Sequence, residues 1–72
     1  METTTLVIEE LRDAETAERI RELLDREDGV ARVLVRPDRA EVYIKHSSHI
    51  APRPRLLERL REAGFKARQK SR

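Results

Sequence analysis

The feature that most constrains this chain is a change of hydrophobic period that occurs twice in the same order. Residues 3–8 are rich in β-branched side chains and alternate, so they read as a strand with Leu6 and Ile8 on one face and Thr5 and Val7 on the other. Between residues 13 and 26 the period becomes helical, with Ala17, Ile20, Leu23 and Leu24 on one stripe and Glu18, Arg19, Arg21, Glu22, Asp25 and Arg26 opposite. Strand alternation returns in Val30, Val33 and Val35, interleaved with Arg32, Leu34 and Arg36. After the turn signal Pro37-Asp38-Arg39 it returns again in residues 40–45, with Val42 and Ile44 inward. Residues 46–54 form a loop whose two prolines lead into a second helical stripe of Leu56, Leu57, Leu60 and Ala63. Gly64 ends that helix, residues 65–68 read as a short last strand, and residues 69–72 as a basic tail. The chain has 72 residues, enough for one domain. The order is therefore β-α-β-β-α-β, with residues 1–68 as the domain.

Local chemistry agrees with this order. Asp13 suits an N-cap, because its carboxylate accepts the free N–H groups of a first helical turn. Glu15 suits the positive end of the helix dipole. Glu15–Arg19 and Glu22–Arg26 are favourable i,i+4 pairs, and Gly29 is expected to stop the helix at or just past its C-cap. Right-handed crossovers turn two interleaved β-α-β units into an α+β, ferredoxin-like sandwich. Its four-stranded antiparallel sheet has the order 4-1-3-2, with both helices on one face. The turn at residues 10–13, the hairpin at 37–39 and the junction at 63–65 then share one end of the sheet. The loop at residues 46–52 lies at the other end, near residues 27–29. Strand rise separates those ends by roughly 15–20 Å, so Asp13 cannot join His46 and His49 around one ion.

Composition removes several function classes. There is no cysteine, hence no disulfide, zinc–thiolate site or thiol nucleophile. No apolar run reaches membrane-spanning length and no signal-peptide pattern is present, so the expected location is cytoplasmic. No nucleophile–base pair is placed by spacing and no glycine-rich phosphate loop exists, which argues against an enzyme; no cofactor is expected. The net charge is only +2, but residues 1–28 carry ten acids and four bases while residues 29–72 carry twelve bases and four acids. A split of that kind can steer charged partners.

The spacing of the apolar residues and glycines resembles the heavy-metal-associated domain of copper and zinc chaperones and of metal-transporting ATPases. Gly29-Val30-Ala31-Arg32-Val33-Leu34-Val35 looks like the family's G-V-x-x-V-x-V, and Leu56, Leu60, Gly64 and Phe65 look like its L-x-x-x-I/L-x-x-x-G-Y/F. Ile20 and Leu24 fall where its first helix is apolar. The resemblance covers residues 4–68. It fails at the metal loop, where the family carries M-x-C-x-x-C. Counting back from Gly29 places Leu11 at the Met, Asp13 at the first Cys and Thr16 at the second. Soft thiolates are what hold Cu(I), and a carboxylate with a hydroxyl does not replace them. The resemblance implies that Leu11 keeps the role of a buried plug under the loop, with Phe65 as its neighbour.

Three candidate sites follow, the last with two readings. Glu9, Glu10, Asp13 and Glu15 could offer oxygens to a hard cation, but strand alternation separates the first two and the helix dipole repels a cation there. His46 and His49 could hold Zn²⁺ or Ni²⁺ if Glu27 or Asp28, or a second copy, completed the shell. The outer sheet face presents Val7, Leu34 and Tyr43 on adjacent strands. Arg32, Arg36, Lys45 and one of Lys66 or Arg68 rim them, a pattern that fits a protein partner or a homodimer. The same face could contact nucleic acid through Tyr43 and the tail, although a single aromatic and no RNA-recognition signature make that the weaker reading. The expectation is a thiol-less relative of the heavy-metal-associated domain. It would dock on a protein partner, or on a neighbouring domain of a metal-handling protein.

Overall fold

The computed structural model describes residues 1–70. Its elements are β1 (Glu2–Ile8), α1 (Ala14–Asp25), β2 (Val30–Arg36), a 3-10 turn (Pro37–Arg39), β3 (Glu41–His46), α2 (Arg53–Glu62) and β4 (Ala67–Gln69). The strands form one sheet in the order β2-β3-β1-β4, with antiparallel pairing throughout. This is the ferredoxin-like arrangement that the two period changes demand.

The sheet's inner face supplies Leu6, Ile8, Val42 and Ile44 to the core, α1 supplies Ile20 and Leu24, and α2 supplies Leu56 and Leu60. Leu11, Ala51 and Phe65 close it from the connections. Burying each such Leu or Ile contributes about 1.5–3 kcal/mol, a large share of the stability of so small a domain.

Four local features differ from the reading of the sequence. Val30 and Val33 are three residues apart, which simple alternation would send to opposite faces. A register irregularity between Val30 and Arg32 lets both valines pack against the core. Helix α1 ends at Asp25 with Arg26 as its cap, so Gly29 is not its stop signal. Gly29 instead takes φ +91° at the entry to β2, where a Cβ would come within 2.8 Å of the Ile50 Cβ. His46 closes β3 rather than opening the loop. Strand β4 begins at Ala67, two residues later than expected, and includes Gln69. Lys70 also belongs to the fold, donating its N–H to the Thr5 carbonyl at 2.9 Å. Ser71 and Arg72 of the expected tail lie outside the described residues.

The end of α2 is built as its sequence demands. Gly64 takes φ +93°, its N–H reaches the Arg61 carbonyl, and the Phe65 N–H reaches that of Leu60. These two bonds make a Schellman turn, and the buried side chains of Leu60 and Phe65 supply its apolar element.

Candidate functional site

The loop from β1 to α1 retains a scaffold and no soft ligand. Leu11 is fully buried and its N–H donates to the Ile8 carbonyl at 3.1 Å. Asp13 is exposed and caps α1, its Oδ1 accepting the Thr16 N–H at 2.7 Å. That bond, followed by one from the Thr16 hydroxyl, holds the Asp13 carboxyl below the usual carboxylate range. Glu10 accepts the Lys66 N–H at 2.8 Å, which ties the loop to the segment before β4. Phe65 is buried beside this end of the core, with the Arg19 guanidinium 5.9 Å from its ring centre. Asp13 and Glu10 thus satisfy backbone donors. Among the described residues, no three His, Cys, Asp or Glu side chains gather in a way that could hold a metal ion.

At the opposite end, His46 is fully buried under the sheet. Its Nδ1 lies 2.6 Å from the Ala51 carbonyl, which can only accept, so Nδ1 carries the proton. Nε2 forms a hydrogen bond of 2.7 Å with the Thr4 hydroxyl. Thr4 Oγ1 in turn accepts from Arg53 Nε at 3.3 Å, and Arg53 pairs with Glu2 at 2.9 Å. The Thr4 hydroxyl and, at 3.8 Å, the Glu2 carboxylate occupy the space in front of Nε2. His49 lies exposed in the turn after β3, where its backbone N–H meets the Ser47 hydroxyl. The two histidines therefore occupy different environments, one in the core and one in solvent. Glu27, the expected third ligand, is held by Arg59 at 2.6 Å and Arg55 at 3.2 Å.

The outer sheet face is ordered in rows. Arg32 stands opposite Lys45, which stands opposite Thr3; Leu34 opposite Tyr43 and Tyr43 opposite Thr5; Arg36 opposite Glu41, Glu41 opposite Val7 and Val7 opposite Arg68. The structure thus brings Val7, Leu34, Tyr43, Arg32, Arg36 and Lys45 together on one surface. Leu34 is 47% exposed, an unusual degree for a strand leucine. Glu41 is the residue that reading the sequence missed. It faces outward yet is buried, because Lys70 Nζ at 2.6 Å and the donating Tyr43 hydroxyl at 2.6 Å cover it. Those partners, Lys70 first, hold its carboxyl below the usual range. The Glu-x-Tyr spacing was visible in the sequence, but Lys70 reaches Glu41 only through the pairing of β1 with β4.

Neither a protein-family model nor a curated protein matches the chain. Solved structures do match its fold. Oxidized MerP from Ralstonia metallidurans CH34 superposes with a TM-score of 0.91 at 16% identity, over 97% of both chains. The N-terminal domain of a potential copper-translocating P-type ATPase from Bacillus subtilis, in its Cu(I)-loaded state, gives 0.89 at 27% identity, over 97% of this chain and 88% of that one. The CopZ metallochaperone gives 0.86 at 13% identity, over 93% and 100%. With every element of that architecture in place and no cysteine anywhere in the sequence, the chain has the heavy-metal-associated, ferredoxin-like metallochaperone fold in a thiol-less form.

Proposed function

We propose that this chain is a docking or regulatory module in metal handling, which meets a protein partner or a neighbouring domain without carrying Cu(I) itself. One observation carries the reading: the metal-loop position keeps its buried anchor, Leu11, and its helix cap, Asp13, while offering no thiolate. The scaffold is retained where the ligands are not. The sheet face of Val7, Leu34 and Tyr43 with its cationic rim is the surface offered to the partner.

The test is an NMR titration of the chain with Cu(I), with Zn²⁺, with Ni²⁺, and with the N-terminal domain of a copper-translocating ATPase. The expected result is no metal-dependent shift at residues 11–16 and partner-dependent shifts on the sheet face or α1. Stoichiometric Cu(I) binding overturns the reading, as do partner shifts confined to residues 69–72. The His46 and His49 alternative is read in the same experiment from the imidazole resonances. A shift under Zn²⁺ or Ni²⁺ that His46→Ala abolishes would restore it.

A further inference from the structure

The rows of the outer face differ in charge. Arg32 and Lys45 are direct cross-strand neighbours, so two cations stand side by side, an arrangement that costs stability. Among the described residues neither has an ion-pair partner, nor do Arg36 and Arg68 in the third row. Glu41, the carboxylate of the third row, is already neutralised by Lys70. A shallow cleft of about 190 Å³ opens over the middle row, lined by Thr3, Arg32, Leu34, Tyr43, Ile44 and Lys45. It has room for one large apolar side chain, with two cations at its border. Beside it, β2 is an edge strand, whose free backbone groups can pair with an added strand.

We infer that this face takes an extended acidic segment of a partner protein. The segment places an apolar side chain over Leu34 and Tyr43 and its carboxylates on Arg32 and Lys45. This rests on the docking reading above and names the chemistry of the partner. A second copy of the chain complements the face poorly, because the outer side of α1 mixes Glu15, Glu18, Glu22 and Asp25 with Arg19, Arg21 and Arg26. Nucleic acid also fits less well. Base stacking on sheets uses several aromatic rings, and here Tyr43 stands alone with its hydroxyl bound to a carboxylate.

The experiment uses three probes on the whole chain: a Glu-rich peptide with one central leucine, the same peptide with lysine for glutamate, and oligo-dT. The acidic peptide should shift the amides of residues 32–36 and 43–45. Its affinity should fall about tenfold or more in Arg32→Glu/Lys45→Glu, and also in Leu34→Ser. Arg32→Gln/Lys45→Gln serves the same purpose if the charge reversal disturbs folding. Three results overturn the inference: no shift on this face at millimolar peptide, equal binding of oligo-dT, or concentration-dependent shifts on this face without any probe. If the ATPase domain binds through α1 or the β1–α1 loop while the acidic peptide leaves the sheet silent, only this inference fails. If the ATPase domain binds nowhere, the docking reading fails whatever the peptide does.

Discussion

Where β1 passes into α1, an apolar side chain fixes the connection; where β3 passes into α2, a histidine does. Leu11 fills space at the first end, and Asp13 and Glu10 satisfy nearby N–H groups from solvent-facing positions. At the second end, His46 joins strand to loop through Ala51, strand to strand through Thr4, and reaches Arg53 and Glu2 beyond. The first end tolerates exposed polar groups because each has water as an alternative partner. The second does not, because a polar group without water must find every partner inside the protein. Asp13 and Glu10 thus hold structural hydrogen bonds in solvent, whereas His46 holds its own in the core.

The largest expected effect tests the apolar end. Leu11→Ala should lower unfolding free energy by about 2–5 kcal/mol in urea titration, whereas Leu11→Met should cost less than about 1.5 kcal/mol. Equal and small costs for both would mean that Leu11 is no plug. Next comes the polar end. His46→Leu strands the Ala51 carbonyl and removes the Thr4 hydroxyl's partner, and should cost about 1–3 kcal/mol. Adding Thr4→Val should recover part of that loss. Additive costs in the double variant would show that the Thr4–His46 bond contributes nothing.

An effect of similar size is expected at Gly29. Gly29→Ala puts a side chain at φ +91° against Ile50 and should cost about 1–3 kcal/mol. The backbone around residues 47–51 should respond too, since the Ser47 N–H donates to the Gly29 carbonyl at 2.7 Å. Unchanged amide shifts at residues 47–51 would separate Gly29 from that end. The smallest effect is acid sensitivity. Asp13 and Glu41 both have carboxyls held below their ordinary values of 3.8 and 4.5. A depressed folded-state value stabilises above the ordinary carboxylate range, and that contribution is lost as pH falls below it. Thermal unfolding from pH 6 to pH 2 should show the loss, and Glu41→Gln should remove the Glu41 part of it. An unchanged acid profile in that variant would make the Lys70 and Tyr43 contacts energetically silent.

Much of the fold was legible because it follows from local periods and caps. Asp13, Gly64 and the alternation of Leu6 with Ile8 and of Val42 with Ile44 each do what their local chemistry requires. The bulge before Arg32 was legible in principle, since Val30 and Val33, three positions apart, cannot share a face of a regular strand without it. His46 was not. A histidine followed by Ser-Ser-His-Ile reads as a polar loop, and only the pairing of β3 with β1 puts Thr4 beside it and α2 above it. Glu41 was hidden in the same way, because its covering lysine is 29 positions away and arrives by strand pairing.

By itself, then, the sequence determined the element order, the inward faces, the caps at Asp13 and Gly64 and the lack of any thiolate. Those depend on residues within a few positions of one another, or on composition alone. The tertiary structure decided which polar side chains are available. It enclosed His46, covered Glu41, and left Arg32 and Lys45 uncompensated beside an exposed leucine. Availability depends on what stands opposite each residue across a strand pair, and that is settled only when distant segments meet.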